Sequence, residues 1–330
     1  MPQLGDVGEH AWIAALLRRL PRAEHRRGVL VGAGDDAAVV RTRARPLLLT
    51  TDCLIEEVHF RRAWLSPSAL GRRAFGASVS DVAAMGGEAR FALLAVEAPR
   101  EISRAYLDAV LRGFRGAAAR AGARLVGGNL AAGRHLALTA SIVGTAPGRV
   151  VTRAGARPGD GLYVTGRLGA SGFAVRALRA GCRVAWPPPP LRLRAGVALA
   201  RVAHAMIDVS DGLAQDLGHL CRASGVSAEV RLDALPLAPA CRRALGSDAA
   251  RFTATAGEDY ELLVAMPPSA RARLRGLDCA LTRIGEVVAG PPRPRFVDTT
   301  GRPVALGRTG YDHFRRRGRA PRCRGGGPRL

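Results

Sequence analysis

Acidic residues are scarce in this chain, and their placement carries the chemistry. There are 27 aspartates and glutamates against 50 basic residues. They concentrate at strand ends and glycine turns: Gly34-Asp35-Asp36, Thr50-Thr51-Asp52, Ser80-Asp81, Asp208 with Ser210-Asp211-Gly212, and Gly257-Glu258-Asp259. A lone acid at a turn is ordinarily a cap or an Asx turn. Asp81 differs, because it falls inside a helical stretch, among the small residues Gly76, Ala77, Ser80 and Ala84, where a carboxylate has no capping work. Five acidic turns in a basic protein point to oxygen ligands for a hard divalent cation. Mg2+ takes carboxylates, keeps waters and bridges to substrate phosphates.

All 50 basic residues are arginine, and the chain has no lysine. That excludes a Walker A loop, the protein-kinase fold and Schiff-base catalysis, each of which needs an amine. Phosphate charge must then be met by metal ions, arginine and backbone amides. A glycine turn of that kind follows an apolar segment at Val126-Gly127-Gly128-Asn129, and Asn129 is the only asparagine in the chain. The residues by themselves indicate a metal- and phosphate-handling enzyme.

The elements that must position these groups alternate along the chain. Apolar spacing predicts a helix over 10–20, then strands at 29–31 and 46–52. Ser66-Pro67 is a helix start, with serine as N-cap and proline in the first turn, and that helix runs to Met85. A second helix covers 102–121. Strands follow at 124–126 and 136–143. After the turn-rich connector TRAGARPGD (152–160) the pattern resets. Strands are expected at 161–165, up to Asp208, and at 226–232, 260–266 and 281–288, with helices near 191–204 and 212–224. A hairpin-like pair is expected around Thr299-Thr300-Gly301. The result is an α/β architecture (α+β layers) in two domains, 1–149 and 150–314, with an arginine-rich tail at 315–330 that lacks hydrophobic periodicity.

Composition narrows the setting. No apolar run approaches the roughly 20 residues of a membrane span. The N-terminus has no apolar signal segment, and the six cysteines form no CxxC pair, so reduced thiols and a cytoplasmic location are expected. The formal charge of +23 is spread along the chain and seldom interleaved with aromatics. Nucleic acid is therefore not expected as the primary partner.

At these residues the sequence resembles the thiamine-monophosphate kinase family, within the aminoimidazole-ribonucleotide-synthetase-like ATP-binding superfamily. The resemblance runs from Gly8 to Phe314. Its strings are GEHAWI (8–13), GAGDDAAVV (32–40), LTTDCLIEEVHF (49–60), SVSDVAAMGG (78–87), VGGN (126–129), TRAGARPGD (152–160), MIDVSDGL (206–213), GEDYEL (257–262) and GYDHF (310–314). It implies two α/β domains, an N-terminal domain that pairs into a homodimer, and transfer of phosphate from ATP to thiamine monophosphate, giving thiamine diphosphate. Asp36, Thr50, Thr51, Asp52, Asp81, Asn129, Asp208 and Asp211 would hold several Mg2+ ions, with Asp81, Asp208 and Asp211 central to catalysis. Gly128, Asn129, Arg153 and Ser210 would contact ATP. His59, Glu258 and Tyr311 would face the thiamine phosphate.

The chain departs from the family pattern at four places. Asn129 replaces a common aspartate, Gly169-Ala170-Ser171 lacks the carboxylate of a GDS turn, PLRLRAG (190–196) replaces HLRPxPR, and Ala256 replaces the first glycine of GGEDY. Other readings are a superfamily relative of the hydrogenase-maturation type, which carries its cysteine at the extreme C-terminus, and an arginine-rich polyanion-binding protein. Here Cys323 is followed by seven residues.

Overall fold

In a computed structural model of the protein, Ser66 and Pro67 open the helix around which both halves are built. The structure describes residues 28–32 and 34–307, together with Ala15 and Gly310. Apart from Ala15, the helix expected at 10–20 lies outside the described residues, as do Tyr311 and the tail at 315–330. Ser66 Oγ accepts from the Ala69 N–H at 3.3 Å, and the helix, α1 (Pro67–Ala84), runs with Pro67 in its first turn. Leu70, Phe75, Val79 and Val82 are all buried, on more than one side of the helix. A surface helix would bury a single stripe.

One side of α1 meets a six-stranded sheet built from β1 (Val29–Val31), β2 (Ala38–Val40), β3 (Leu47–Ile55), β4 (Glu88–Ala98), β5 (Arg124–Ala132) and β6 (Ala137–Thr145). The strand order is β1-β2-β3-β6-β4-β5; β4 and β5 pair in parallel and the rest antiparallel. Along β6 buried and partly exposed residues alternate at every position, as expected where one face is covered by helices and the other is not. A second helix, α2 (Arg104–Arg120), lies against α1, with Phe75 and Phe114 edge to face at 5.4 Å.

The second sheet comprises β7 (Gly161–Thr165), β8 (Ala205–Val209), β9 (Ser227–Arg231), β10 (Glu261–Met266), β11 (Leu281–Val288) and β12 (Pro294–Val297), in the order β12-β9-β11-β7-β10-β8. Every residue of β7, β8 and β10 is buried, so these strands are covered on both faces. Tyr163, Met206, Leu262 and Val264 join the same core as Leu48, Phe75 and Val82 of the first half. Leu162, Ile207 and Leu263 face the other way, toward Leu213 and Leu217 of a further helix.

The remaining α-helices among the described residues are α3 (Ala170–Arg179), α4 (Leu193–Ala200), α5 (Leu213–Ser224), α6 (Pro239–Leu245) and α7 (Ala249–Thr255). Although α4 lies in the second half of the chain, it packs on α1. A Cβ at Gly196 would stand 2.1 Å from the Ala83 carbonyl oxygen, so only glycine permits this approach.

The sequence expectation lacks the short β2 strand and the helices α6 and α7, and two further features bear on it. The eleven-residue β4 has no counterpart in it, because EARFALLAVEA is rich in Ala, Leu and Glu, which prefer helices. Pairing with β5 on one side and β6 on the other overrides that preference. Around 299–301 the chain doubles back, with an antiparallel Val297–Pro303 bridge and backbone bonds from Asp298 N–H to Arg302 O and Val304 N–H to Phe296 O, while β12 itself pairs in parallel with β9. Asp298 organises this turn, accepting from the N–H groups of Thr300 and Arg302 and the Thr300 hydroxyl.

Candidate active site

Three side-chain contacts assemble the acids. Thr50 on β3 donates its hydroxyl to Asp81 on α1 in a short hydrogen bond. Ser80, the residue before, donates to Asp208 Oδ2 on β8 at 2.7 Å. Arg153, in the connector after β6, pairs through its guanidinium with Asp36. Its backbone N–H lies 3.2 Å from Asp35 Oδ2. The first sheet, α1 and the second sheet each contribute, so the site exists only where the two halves meet.

The turn after β8 is held by a residue that the sequence analysis did not single out. Asp216, buried in the first turn of α5, accepts through Oδ2 from the N–H groups of Ser210, Asp211 and Gly212 at 3.0–3.2 Å. Gly212 sits at φ +125°, a conformation closed to most side chains. Gln215 donates to Asp211 Oδ2 at 2.8 Å. The sequence signal for Asp216 is a carboxylate in the opening turn of the helix that follows an SDG turn.

Burial dominates the electrostatics. It pushes the Asp81 carboxyl well above its ordinary range, and Asp208, Asp52 and Asp36 raise it further, opposed by the Thr50 hydrogen bond. Asp36 is pushed up to about 8 by burial, with Arg153 opposing and Asp208 and Asp35 reinforcing. Asp208 rises to about 6, again through burial, with the Ser80 hydroxyl holding it down. These mutual effects put Asp36, Asp52, Asp81, Asp208 and Asp211 in one electrostatic neighbourhood.

Asp36 Oδ2 and Arg153 Nε are buried without a hydrogen-bond partner. An unpaired buried polar atom costs about 1–3 kcal/mol, and a cation beside Asp36 would relieve both that cost and the repulsion among the carboxylates. Among the described residues no group of three or more His, Cys, Asp or Glu side chains is arranged to hold a metal ion by itself.

Comparison with known proteins agrees with this arrangement. The N-terminal domain of AIR synthase related proteins matches residues 34–150, and the C-terminal domain of the same family matches residues 157–295. Thiamine-monophosphate kinase of Mycobacterium tuberculosis (strain H37Rv) is 36% identical over 310 residues, covering 88% of each chain. That of Salmonella typhimurium (strain LT2) is 34% identical over 93% of this chain and 98% of its own. This chain belongs to the thiamine-monophosphate kinase family. A solved structure of that family, "AaThiL complexed with AMPPCP and TMP", superposes with a TM-score of 0.83 at 30% identity, over 95% of this chain and 99% of the other. Membership makes the chain an enzyme of kinase type with two AIR-synthase-type domains.

Within this kinase fold some residues that the resemblance implicates lie elsewhere. Asp52, Ala140, Leu94 and Gly128 form one row across the sheet, three strand spacings of about 4.8 Å each. Cys53, Thr139, Ala95 and Asn129 form the next row, where successive residues face oppositely. Asn129 and Thr51 therefore lie on the face away from α1. There Thr51 Oγ1 is 3.0 Å from Ser141 Oγ, and the Thr139 hydroxyl reaches Cys53 Sγ at 3.3 Å. Glu258 is paired with buried Arg73 at 3.0 Å, and Arg73 stacks 3.7 Å from the Trp186 ring centre. His59 Nδ1 accepts from the Ile55 N–H at 3.0 Å, closing the turn after β3. No helix among the described residues is long and apolar enough to cross a membrane.

Proposed function

We propose that this chain transfers the γ-phosphoryl group of ATP to the phosphate of thiamine monophosphate, forming thiamine diphosphate and ADP. The observation that carries the reading is the convergence of Asp36, Asp81 and Asp208 from two sheets and α1, in a chain of this family. A family structure in complex with AMPPCP and TMP supports it.

In this reading Asp36, Thr50, Asp52, Asp81, Asp208 and Asp211 hold Mg2+, more than one ion being matched to so many carboxylates. Mg2+ held by these residues would supply positive charge against the phosphates. Arg153 is fixed at its backbone N–H by Asp35 and at its guanidinium by Asp36, with Nε 3.6 Å from Asp35 Oδ1, which holds its positive charge beside the acids where the phosphates would lie. The acceptor oxygen is already anionic at neutral pH, so no side chain need take its proton. A bond forms between that oxygen and the γ-phosphorus, while the bond to the β–γ bridging oxygen breaks and its electron pair leaves with ADP. Ser80 and Thr50 orient the carboxylates, and Asp216 holds the Ser210–Gly212 turn. Glu258 enters the acceptor side as half of an ion pair with Arg73.

The outer face of the first sheet presents Leu49, Phe91 and Leu93, which are 37%, 48% and 44% exposed. Leu49 and Phe91 both pair with Val143 across the sheet, so they share one face. A second copy of the chain is the proposed cover, which would make the protein a homodimer and bury Asn129 and Thr51 at its seam.

Incubation of the purified chain with ATP, Mg2+ and thiamine monophosphate tests the reaction. Thiamine diphosphate and ADP are expected in equal amounts. ADP alone, or no product from folded protein, contradicts the assignment.

A further inference from the structure

Away from the acids a second cleft, with a volume of about 560 Å³, opens between α4, the start of β4 and the end of α2. Its lining is set by helix geometry. Arg194, Val197, Ala198 and Arg201 follow the spacing i, i+3, i+4, i+7, which places them on one face of α4. Gly196 faces Ala83 of α1, so α4 is anchored there and free to present this other face. Seven residues along a helix separate the two arginine backbones by about 10 Å, so the guanidinium groups flank an apolar floor of Val197 and Ala198.

Arg90 and Arg275 also line it. The single carboxylate is Glu88, already bonded to Arg90 at 2.6 Å. Arg90 engages Glu88 and the Thr145 hydroxyl, and Arg275 the Ala272 and Leu274 carbonyls, so Arg194 and Arg201 are the arginines best placed to meet a ligand. Asp36, Asp81 and Asp208 are absent from the lining, so this cleft is separate from the acid cluster. Its size lies within the roughly 300–1,000 Å³ of small-molecule sites, and arginine forks match phosphate oxygens in paired hydrogen bonds.

We propose that this cleft is a second binding site, for a small organic phosphate carrying a di- or triphosphate group. The phosphates meet Arg194 and Arg201, and the organic part rests on Val197 and Ala198. This site stands whether or not the kinase reading holds.

Binding of ADP without divalent cation, followed by calorimetry, tests it on the wild type and on an Arg194→Ala/Arg201→Ala variant. Both arginines are solvent-exposed, so the variant should melt as the wild type does and retain its turnover. The wild type should bind one more equivalent of ADP than the variant, and inorganic pyrophosphate should compete for that equivalent. A charge-reversed Arg194→Glu/Arg201→Glu protein should lose it as well. Equal stoichiometry in wild type and variants, or an extra equivalent that pyrophosphate leaves untouched, would overturn the proposal.

Discussion

The Ser80 hydroxyl donates to Asp208 across 2.7 Å, and this bond fastens α1 to a strand of the opposite sheet one residue before Asp81 receives the Thr50 hydroxyl. Two neighbouring residues on one helix thereby orient a carboxylate from each half. Ser80→Ala removes the interaction that holds Asp208 down near 6. The acid limb of the kcat/KM profile should move to higher pH. Activity at neutral pH should fall roughly tenfold, the effect of about one lost hydrogen bond to a charged group. An acid limb at the wild-type position would show that Ser80 does not tune Asp208.

The same carboxylates make the demand for Mg2+ depend on pH. Asp36 at about 8 and Asp208 at about 6 hold protons in the ion-free protein as pH falls through those values. Protons then compete with the ion. The Mg2+ concentration for half-maximal activity should rise as pH is lowered from about 8 to about 6, the range these two values span. Titration of activity with Mg2+ at a series of pH values measures this. A flat dependence would contradict carboxylate ligation.

Arg73 is 2% exposed and is held by Glu258, the Trp186 ring and the Pro187 carbonyl. Arg73→Leu leaves Glu258 without its counter-charge, at a cost of about 3 kcal/mol, the lower end for a broken buried pair because Glu258 is 25% exposed. Urea unfolding should show this loss, and adding Glu258→Gln should recover part of it. A loss below about 1 kcal/mol, the range of surface pairs, would mean the pair is not structural.

Asp259 caps α3 from a distance in sequence, accepting from the Gly169 N–H at 2.8 Å, and burial pushes it up to about 8. The folded chain keeps a proton that the unfolded chain loses above 3.8. This group therefore costs stability progressively as pH rises from about 4 to 8. Asp259→Asn should make the melting temperature fall less across that same interval, from 3.8 to about 8, than it does in the wild type. An unchanged slope would place the titration elsewhere.

Much of the site is legible in the sequence because each acidic string marks a strand end or turn. Asp81 stands out because nothing local requires a carboxylate in mid-helix. Period-two alternation in Thr50-Thr51-Asp52 already separates Thr51 from its neighbours, a constraint that the family resemblance hides. Arg73 and Glu258 lie 185 positions apart, and no local pattern announces their pairing. The β4 strand is illegible for another reason, since its residues favour helix and only its two neighbours make it extended. The carboxylate of a GDS turn is missing from Gly169-Ala170-Ser171, yet Asp259 supplies one to the same turn through space.

The proposed phosphoryl transfer depends most on Asp81. Turnover of thiamine monophosphate to thiamine diphosphate, measured side by side for the wild type and Asp81→Asn, tests it directly. The variant relieves a buried charge, so it should fold and melt at least as well as the wild type while losing activity by at least about a thousandfold, some 4 kcal/mol of barrier. A folded Asp81→Asn protein that turns over at near wild-type rate would contradict it.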